Sequence, residues 1–311
     1  MESVEKNEAL NTQTVVGTLV NKESIKIETP FFENESVAPL YKPGNQLIVQ
    51  KSEGYWRIIS LKRDGYIFIL VGIFIWTIIL ISGKKGLFSL VGLIINSGLV
   101  LLILWINGNY PRFSLVLLMS VYTCLAVLIA MVTTYGFRQI DARKILATLI
   151  SVFCAFFICL LTMNLLKDRG LRYEELQFIT RPYRSVFLAG LLIGAIGASM
   201  DIVVTLLAAL DEIRQKDPKV FLEELVISGG KIAQDTVPSI INVLMFAYLS
   251  GSIPTIIFFI ANAWKFASVL DMYLSLEFLR ILCGGFAIVL AVPAALLLFV
   301  LGERSKGANR I

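Results

Sequence analysis

The sequence predicts an all-α polytopic membrane protein with about seven or eight transmembrane helices and a small N-terminal β-domain. Three observations support this fold class. Hydrophobic residues make up 57% of the 311-residue chain and charged residues only 16%, against about 25% charged in a typical soluble domain. The mean hydropathy is +0.77. Several apolar runs are also long enough to cross the roughly 30 Å hydrocarbon core of a bilayer.

The N-terminal part of the chain lacks such runs and has the pattern of short strands. Residues 1–13 are polar, and we expect a disordered tail there. A Pro-Gly-Asn sequence at 43–45 predicts a turn. These features predict a small β-rich domain over residues 14–64, which is too short to bury much core of its own. Its predicted strands cover 14–20, 24–29, 46–51 and 55–61.

The membrane domain is predicted over residues 65–301, followed by a polar tail at 302–311. The apolar segment 254–268 is shorter than a full span, so it is either a short span or a re-entrant hairpin. With this segment the domain has eight spans, and without it seven. The seven longer spans cover 65–82, 86–106, 113–133, 145–166, 186–210, 232–250 and 276–301.

The charge distribution indicates a lipid bilayer as the main partner. The net charge of +5 is spread through short loops, which suits anionic headgroups. The sequence has no basic stripe interleaved with aromatic residues, the pattern that would predict nucleic-acid binding. Lysine and arginine are equally numerous on the two sides of the predicted spans, so the positive-inside rule does not decide the orientation.

The residue inventory excludes several kinds of chemistry. The chain has no histidine, which removes histidine bases, histidine triads and histidine metal ligands. Its four cysteines lie in apolar spans and form no CxxC pair. No paired catalytic constellation is visible, although Asp201 and Asp235 keep a weak aspartyl-type alternative open. We therefore expect no enzyme activity, no metal and no cofactor.

The most informative residue is Asp201, which lies inside the otherwise apolar or small run 186–210. A carboxylate near the middle of a membrane helix costs about 3 kcal/mol on insertion scales. Such residues usually face a bundle interior or a wet cavity rather than lipid. Asp201 is therefore a candidate functional group.

Two helical faces are predicted to meet around Asp201. The predicted fifth span carries small or polar residues at steps of three and four, which place them on one helical face. The small ones predict a seam for close helix packing. The residues of this face are Gly190, Gly194, Gly197, Asp201, Thr205 and Ala208. The predicted sixth span carries a polar face with the same steps, formed by Asp235, Ser239 and Asn242.

Two interpretations of these faces remain open from the residues alone. Asp201, Thr205, Asp235, Ser239 and Asn242 can line a path for a proton or a small cation. Alternatively, Asp201 hydrogen-bonds Asn242 or Ser239 and only locks two helices together. Both interpretations expect Asp201 and Asn242 to face each other in the interior of the bundle.

The sequence resembles the YibE/YibF-like family of bacterial multi-pass membrane proteins. The resemblance lies in the segments 41–50, 190–213, 224–251 and 276–298. It implies a location in the bacterial plasma membrane and implies little about activity. The residues that fall in matching order are Gly197, Asp201, Ser228, Gly229, Asp235, Asn242, Ala247, Tyr248 and Pro293.

A second likeness concerns arrangement alone. A glycine-rich helix with an aspartate, a charged connector at 211–224 and a second polar-faced helix are similar to the permease core of SecD/SecF and resistance–nodulation–division proteins. In those families an intramembrane carboxylate couples proton movement to export. We therefore expect a transporter or an export-assisting permease. The alternative is a non-transporting scaffold or sensor that binds a partner through its β-domain, and a partner membrane protein or a homo-oligomer is expected in either case.

Overall fold

The computed structural model describes residues 3–7, 12–19, 23–30, 40–52, 55–110, 112–136, 141–173 and 182–308. The chain divides into two compact units, Met1–Gly83 and Lys84–Ile311. The first contains the strands and the beginning of the first helix. The second contains the remaining helices. The boundary therefore lies inside the region predicted as the membrane domain, rather than at residue 64.

The first unit contains two small antiparallel sheets. Strands β1 (Ser3–Asn7), β2 (Thr12–Thr18) and β3 (Ser24–Pro30) form one sheet in that order. Strands β4 (Leu47–Ser52) and β5 (Tyr55–Leu61) form a hairpin. The small β-region is therefore present as predicted. The tail predicted to be disordered differs, because Ser3–Asn7 pairs with Thr12–Val16 of β2 along its whole length.

Local chemistry explains the turn before β4 and the small core of this unit. Gly44 adopts a φ of 90°, which a residue with a side chain rarely tolerates. The Asn45 side chain accepts a hydrogen bond from the Lys42 backbone N–H at 2.8 Å, a typical local bond of turn asparagines. Val15 and Ile27 are buried from opposite strands of the three-stranded sheet.

Helix α1 runs from Asp64 to Asn109, and Gly83 inside it has non-helical angles of φ 55° and ψ −138°. Its 46 residues would extend about 69 Å at 1.5 Å per residue, about twice a hydrocarbon core. Residues 65–82 and 86–106, predicted as two spans, therefore belong to one helical element broken at Gly83. Its second half packs on the next helix, where Gly92 lies against Thr133.

In its described residues the second unit contains five further helices: α2 (Leu115–Tyr135), α3 (Ala142–Leu166), α4 (Tyr183–Lys216), α5 (Leu222–Ala261) and α6 (Phe266–Ala308). Within the described residues, six helices including α1 are long and apolar enough to cross a membrane. The expectation of seven or eight spans is therefore wrong. Besides the merger in α1, segment 254–268 is no separate span, because α5 continues through Pro254 to Ala261.

Helix α5 contains two prolines, Pro238 and Pro254. Each lacks the N–H that would bond to the carbonyl one turn earlier. Such breaks are tolerated in membrane helices when neighbouring groups compensate. The chain then reverses through Asn262 and Ala263, the latter at φ 61°, and α6 begins at Phe266.

Helix α4 is the central helix of the second unit and packs against α2, α3, α5 and α6. Apart from Ser199, its buried side chains are apolar, among them Ile202, Val203, Leu206, Leu207 and Leu210. The Ser151 hydroxyl on α3 hydrogen-bonds the Ser199 hydroxyl on α4 in the buried interior. This contact fixes the depth of α3 relative to α4.

Ion pairs hold the helix ends at one side of this unit. Arg143 at the start of α3 contacts Asp141 at 2.8 Å and Asp211 near the end of α4 at 3.1 Å. Its guanidinium also lies 5.6 Å from the centre of the Phe299 ring on α6. Arg214 contacts Glu303 at 3.0 Å. Asp201 lies ten residues before Asp211 on α4, about 15 Å deeper along the helix.

Candidate functional site

The predicted face of α4 lies along an exposed stripe of this central helix, which the neighbouring helices do not cover. Gly197, Asp201, Thr205 and Ala208 are exposed at steps of three and four residues. The intervening apolar residues are buried against the neighbouring helices. The helical periodicity expected from the sequence is therefore present, but the polar face points away from the core.

The exposure of Asp201 overturns the expectation that it meets Asn242 inside the bundle. Both residues are exposed on the surface of the chain. The part of the chain that the structure describes offers the Asp201 carboxylate neither a hydrogen bond nor an ion pair. The physical reason is packing, because larger apolar side chains on the opposite face of α4 fill the interior against α3 and α6.

The polar face of α5 is exposed as well. Asp235, Ser239 and Asn242 lie on the outer surface of this peripheral helix, together with Lys231 and Gln234. Lys231 and Asp235 are one turn apart, yet no ion pair joins them in the described structure. Within the described residues, both charged groups are therefore exposed and open to a further partner.

Two contacts fix how these faces align in depth. Gly194 on α4 lies against the Tyr248 hydroxyl, and Leu210 on α4 lies against Gly229. The two helices therefore run in opposite directions, and residues between these contacts pair in reverse order. Asp201 lies at the depth of Ser239 and Asn242. Thr205 lies at the depth of Gln234 and Asp235, which is nearer the end that carries Arg143.

We define the polar face as Asp201 and Thr205 on α4 with Asp235, Ser239 and Asn242 on α5. Its members are two carboxylates, two hydroxyls and one amide, at two matched depths of adjacent helices. Carboxylate and hydroxyl oxygens can accept hydrogen bonds or contact a small cation, and the amide can donate to a carboxylate. The chemistry available here is binding and release of a proton or a small cation.

The three glycines of the predicted seam have different surroundings. A Cβ at Gly194 would lie 1.9 Å from the Tyr248 hydroxyl oxygen, whereas one at Gly190 or Gly197 would have no neighbour within 4 Å. Gly194 therefore permits a close contact between α4 and α5. The other two lie on open parts of the helix.

The structure also contains a polar pair that the sequence prediction omitted. Glu277 and Arg280 on α6 form a largely shielded ion pair, and the Arg280 guanidinium lies 5.4 Å from the centre of the Phe187 ring on α4. Their spacing of three residues inside an apolar segment was the available signal. Among the described residues, no group of three or more His, Cys, Asp or Glu side chains could hold a metal ion.

The six apolar helices found among the described residues, with their buried helix–helix contacts, define a multi-pass membrane protein. The model of the YibE/F-like protein family matches residues 70–304, about three quarters of the chain. The chain belongs to this family, and the match covers the whole polar face. No curated protein and no solved structure matches it.

Proposed function

We propose that this protein is a transporter or an export-assisting permease of the bacterial plasma membrane, with Asp201 as its ion-coupling group. One observation carries the proposal: an unpaired carboxylate lies about 15 Å inside an apolar helix, at the depth of the hydroxyl of Ser239 and the amide of Asn242. Ionisable residues at such depth typically belong to proton relays or ion pathways.

The arrangement assigns a role to each member of the polar face. Asp201 binds the proton or cation. Asn242 and Ser239 lie at the same depth and carry the amide and hydroxyl donors that can hydrogen-bond its charged form. Thr205 and Asp235 lie nearer the end with Arg143, where they can pass the ion between Asp201 and the aqueous side. None of these roles breaks or forms a covalent bond in a substrate, so the proposed protein is not an enzyme.

Proton flux in reconstituted vesicles tests the proposal. Purified protein is placed in liposomes with an imposed pH gradient, and internal pH is followed with a trapped fluorescent dye. The Asp201→Asn variant should lose the protein-dependent flux, because it keeps shape and polarity but cannot titrate. The matched control is Asp271→Asn, which changes a surface carboxylate paired with Arg172 at 3.1 Å. It should retain the flux.

The competing explanation gives the opposite pattern. If Asp201 is only a structural anchor, Asp201→Asn behaves like the parent protein and Asp201→Leu is the damaging change. Equal flux in the parent and in Asp201→Asn would exclude proton coupling. That outcome would favour the scaffold or sensor, whose partner would bind the β-region. An open cleft of about 520 Å³ beside β5 and the start of α1, lined by Lys62, Arg63 and Tyr66 among others, is the candidate surface for it.

A further inference from the structure

The polar face is chemically unlike the exposed surface of α3 at similar depth. At a depth similar to that of Thr205, the exposed residue of α3 is Leu146, which is 48% accessible. Ile150 and Phe157 continue that surface with apolar side chains. Such side chains suit lipid tails. The carboxylates, hydroxyls and amide of the polar face do not, because unpaired polar groups in hydrocarbon are costly.

We propose that a second copy of this chain covers the polar face, so that the site around Asp201 is completed only in a dimer. The depth alignment of α4 and α5 is the main argument. A two-fold rotation about the membrane normal leaves the depth of every residue unchanged. It can therefore bring α4 of one copy against α5 of the other, with Asp201 opposite the partner's Asn242 and Ser239.

The groups that then meet are complementary. The amide of Asn242 and the hydroxyl of Ser239 can donate to the Asp201 carboxylate, and the rotation makes every such contact twice. Lys231 and Asp235 are both exposed without an ion pair in the described part of the chain. In the dimer, the Lys231 ammonium group of one copy can reach the Asp235 carboxylate of the other, because the two groups differ in depth by only about one helical turn.

The backbone on this face also allows close approach. Gly197 has no neighbouring atom within 4 Å of a Cβ position, and Ala208 is exposed on the same stripe. Small residues let two membrane helices approach until interhelical hydrogen bonds form. This inference depends on the exposed polar groups alone, and it holds whether or not Asp201 moves a proton.

Cross-linking between two differently tagged copies tests the dimer directly. Both copies have their native cysteines replaced by alanine, namely Cys124, Cys154, Cys159 and Cys283. One copy then carries Thr205→Cys and the other Gln234→Cys, two exposed positions at the same depth. Because each copy has one cysteine, a disulfide can form only between copies. The control pair replaces Gln234→Cys with Leu146→Cys, exposed on α3.

After mild oxidation in membranes, the Thr205/Gln234 pair should give a cross-linked species that carries both tags, and the Thr205/Leu146 pair should not. Equal yields from the two pairs, or no product from the first pair, would overturn the proposal. A product in which the polar face is linked to a different membrane protein would overturn it too.

A measurement of association in bilayers does not depend on the cysteine variants. Two fluorescently labelled populations of the full chain are mixed in vesicles, and energy transfer between them reports dimers. Asp201→Leu should weaken association by about tenfold, since it removes two symmetry-related hydrogen bonds of typical interhelical strength. If Asp201 instead faces lipid in a monomer, Asp201→Leu would leave energy transfer unchanged and raise the melting temperature, which would refute the second-copy proposal.

Discussion

Gly194 of α4 lies so close to the Tyr248 hydroxyl of α5 that a methyl group at position 194 would be 1.9 Å from that oxygen. This contact lies at one end of the alignment that brings Asp201 to the depth of Asn242. The spacing of α4 and α5, and with it the geometry of the polar face, depends on the absence of a side chain at one position.

The first prediction follows from this contact. Gly194→Leu should lower the free energy of unfolding by roughly 1–3 kcal/mol, the usual range for overpacking. Gly190→Ala is the matched control, because nothing lies within 4 Å of its Cβ position. The melting temperatures of both variants are measured in detergent by recording how much monodisperse protein remains after heating. Parent-like melting of Gly194→Leu would show that α4 and α5 separate without cost.

The second prediction concerns Arg143, which bridges Asp141 and Asp211 while its side chain is 20% accessible. Arg143→Met should destabilise the protein by about 2 kcal/mol, because two partly buried carboxylates lose their charged hydrogen-bond donor. Lys216→Met breaks an exposed ion pair with Glu212 and should leave the melting temperature close to that of the parent, because solvent screens exposed ion pairs. Comparable melting of the two variants would contradict this ranking.

The third prediction is a pH dependence at the same cluster. Burial alone would raise the pKa of Asp141, but hydrogen bonds and charge attraction from Arg143 outweigh it and hold this pKa below its ordinary value of 3.8. A lowered pKa in the folded state means that the stabilisation is complete above pH 3.8 and is lost as the pH falls through the folded value. Asp141→Asn should therefore have a lower melting temperature than the parent above this pH. Below it, the melting temperature of the variant should fall less steeply with pH than that of the parent. Parallel profiles for the two proteins would exclude this role.

The fourth prediction concerns the buried hydroxyl pair of Ser151 and Ser199. Ser199→Ala should cost about 1 kcal/mol, because the remaining hydroxyl loses a buried partner. The double variant with Ser151→Ala should cost less than the two single losses added together. A double-mutant cycle in unfolding experiments measures this coupling, for which interhelical bonds in membranes average about 0.6 kcal/mol. Additive losses would show that the hydroxyls do not interact.

Much of the fold could be predicted from the sequence, because the length of apolar runs and the residues of turns are local signals. The hairpin of β4 and β5 falls within a residue of its prediction. β1 was missed because its sequence, SVEKN, has little strand character, and its order comes from pairing with β2. The break that the sequence predicts between residues 65–82 and 86–106 is present at Gly83, which has non-helical angles, although the two helical segments follow each other without a loop.

Only part of the candidate site could be predicted from the sequence. Three- and four-residue steps place Asp201 and Thr205 on one face, but they do not state whether that face is covered. Both sides of α4 are composed of small and apolar residues, so burial was decided by packing with distant helices. The contact of Arg143 with Asp211, 68 positions apart, is of the same kind, because no local pattern specifies it.

Pro238 gives the polar face a mechanical property. Because Pro238 has no N–H, α5 lacks one backbone hydrogen bond next to Ser239. Prolines are common points of bending in helices. Helix α5 packs against α4 and α6 at the edge of the bundle, while α4 is packed by four neighbours. A change in charge at Asp201 or Asp235 therefore acts close to a point where α5 can bend, and a small movement of this helix can change the spacing of the polar face without repacking the core around α4.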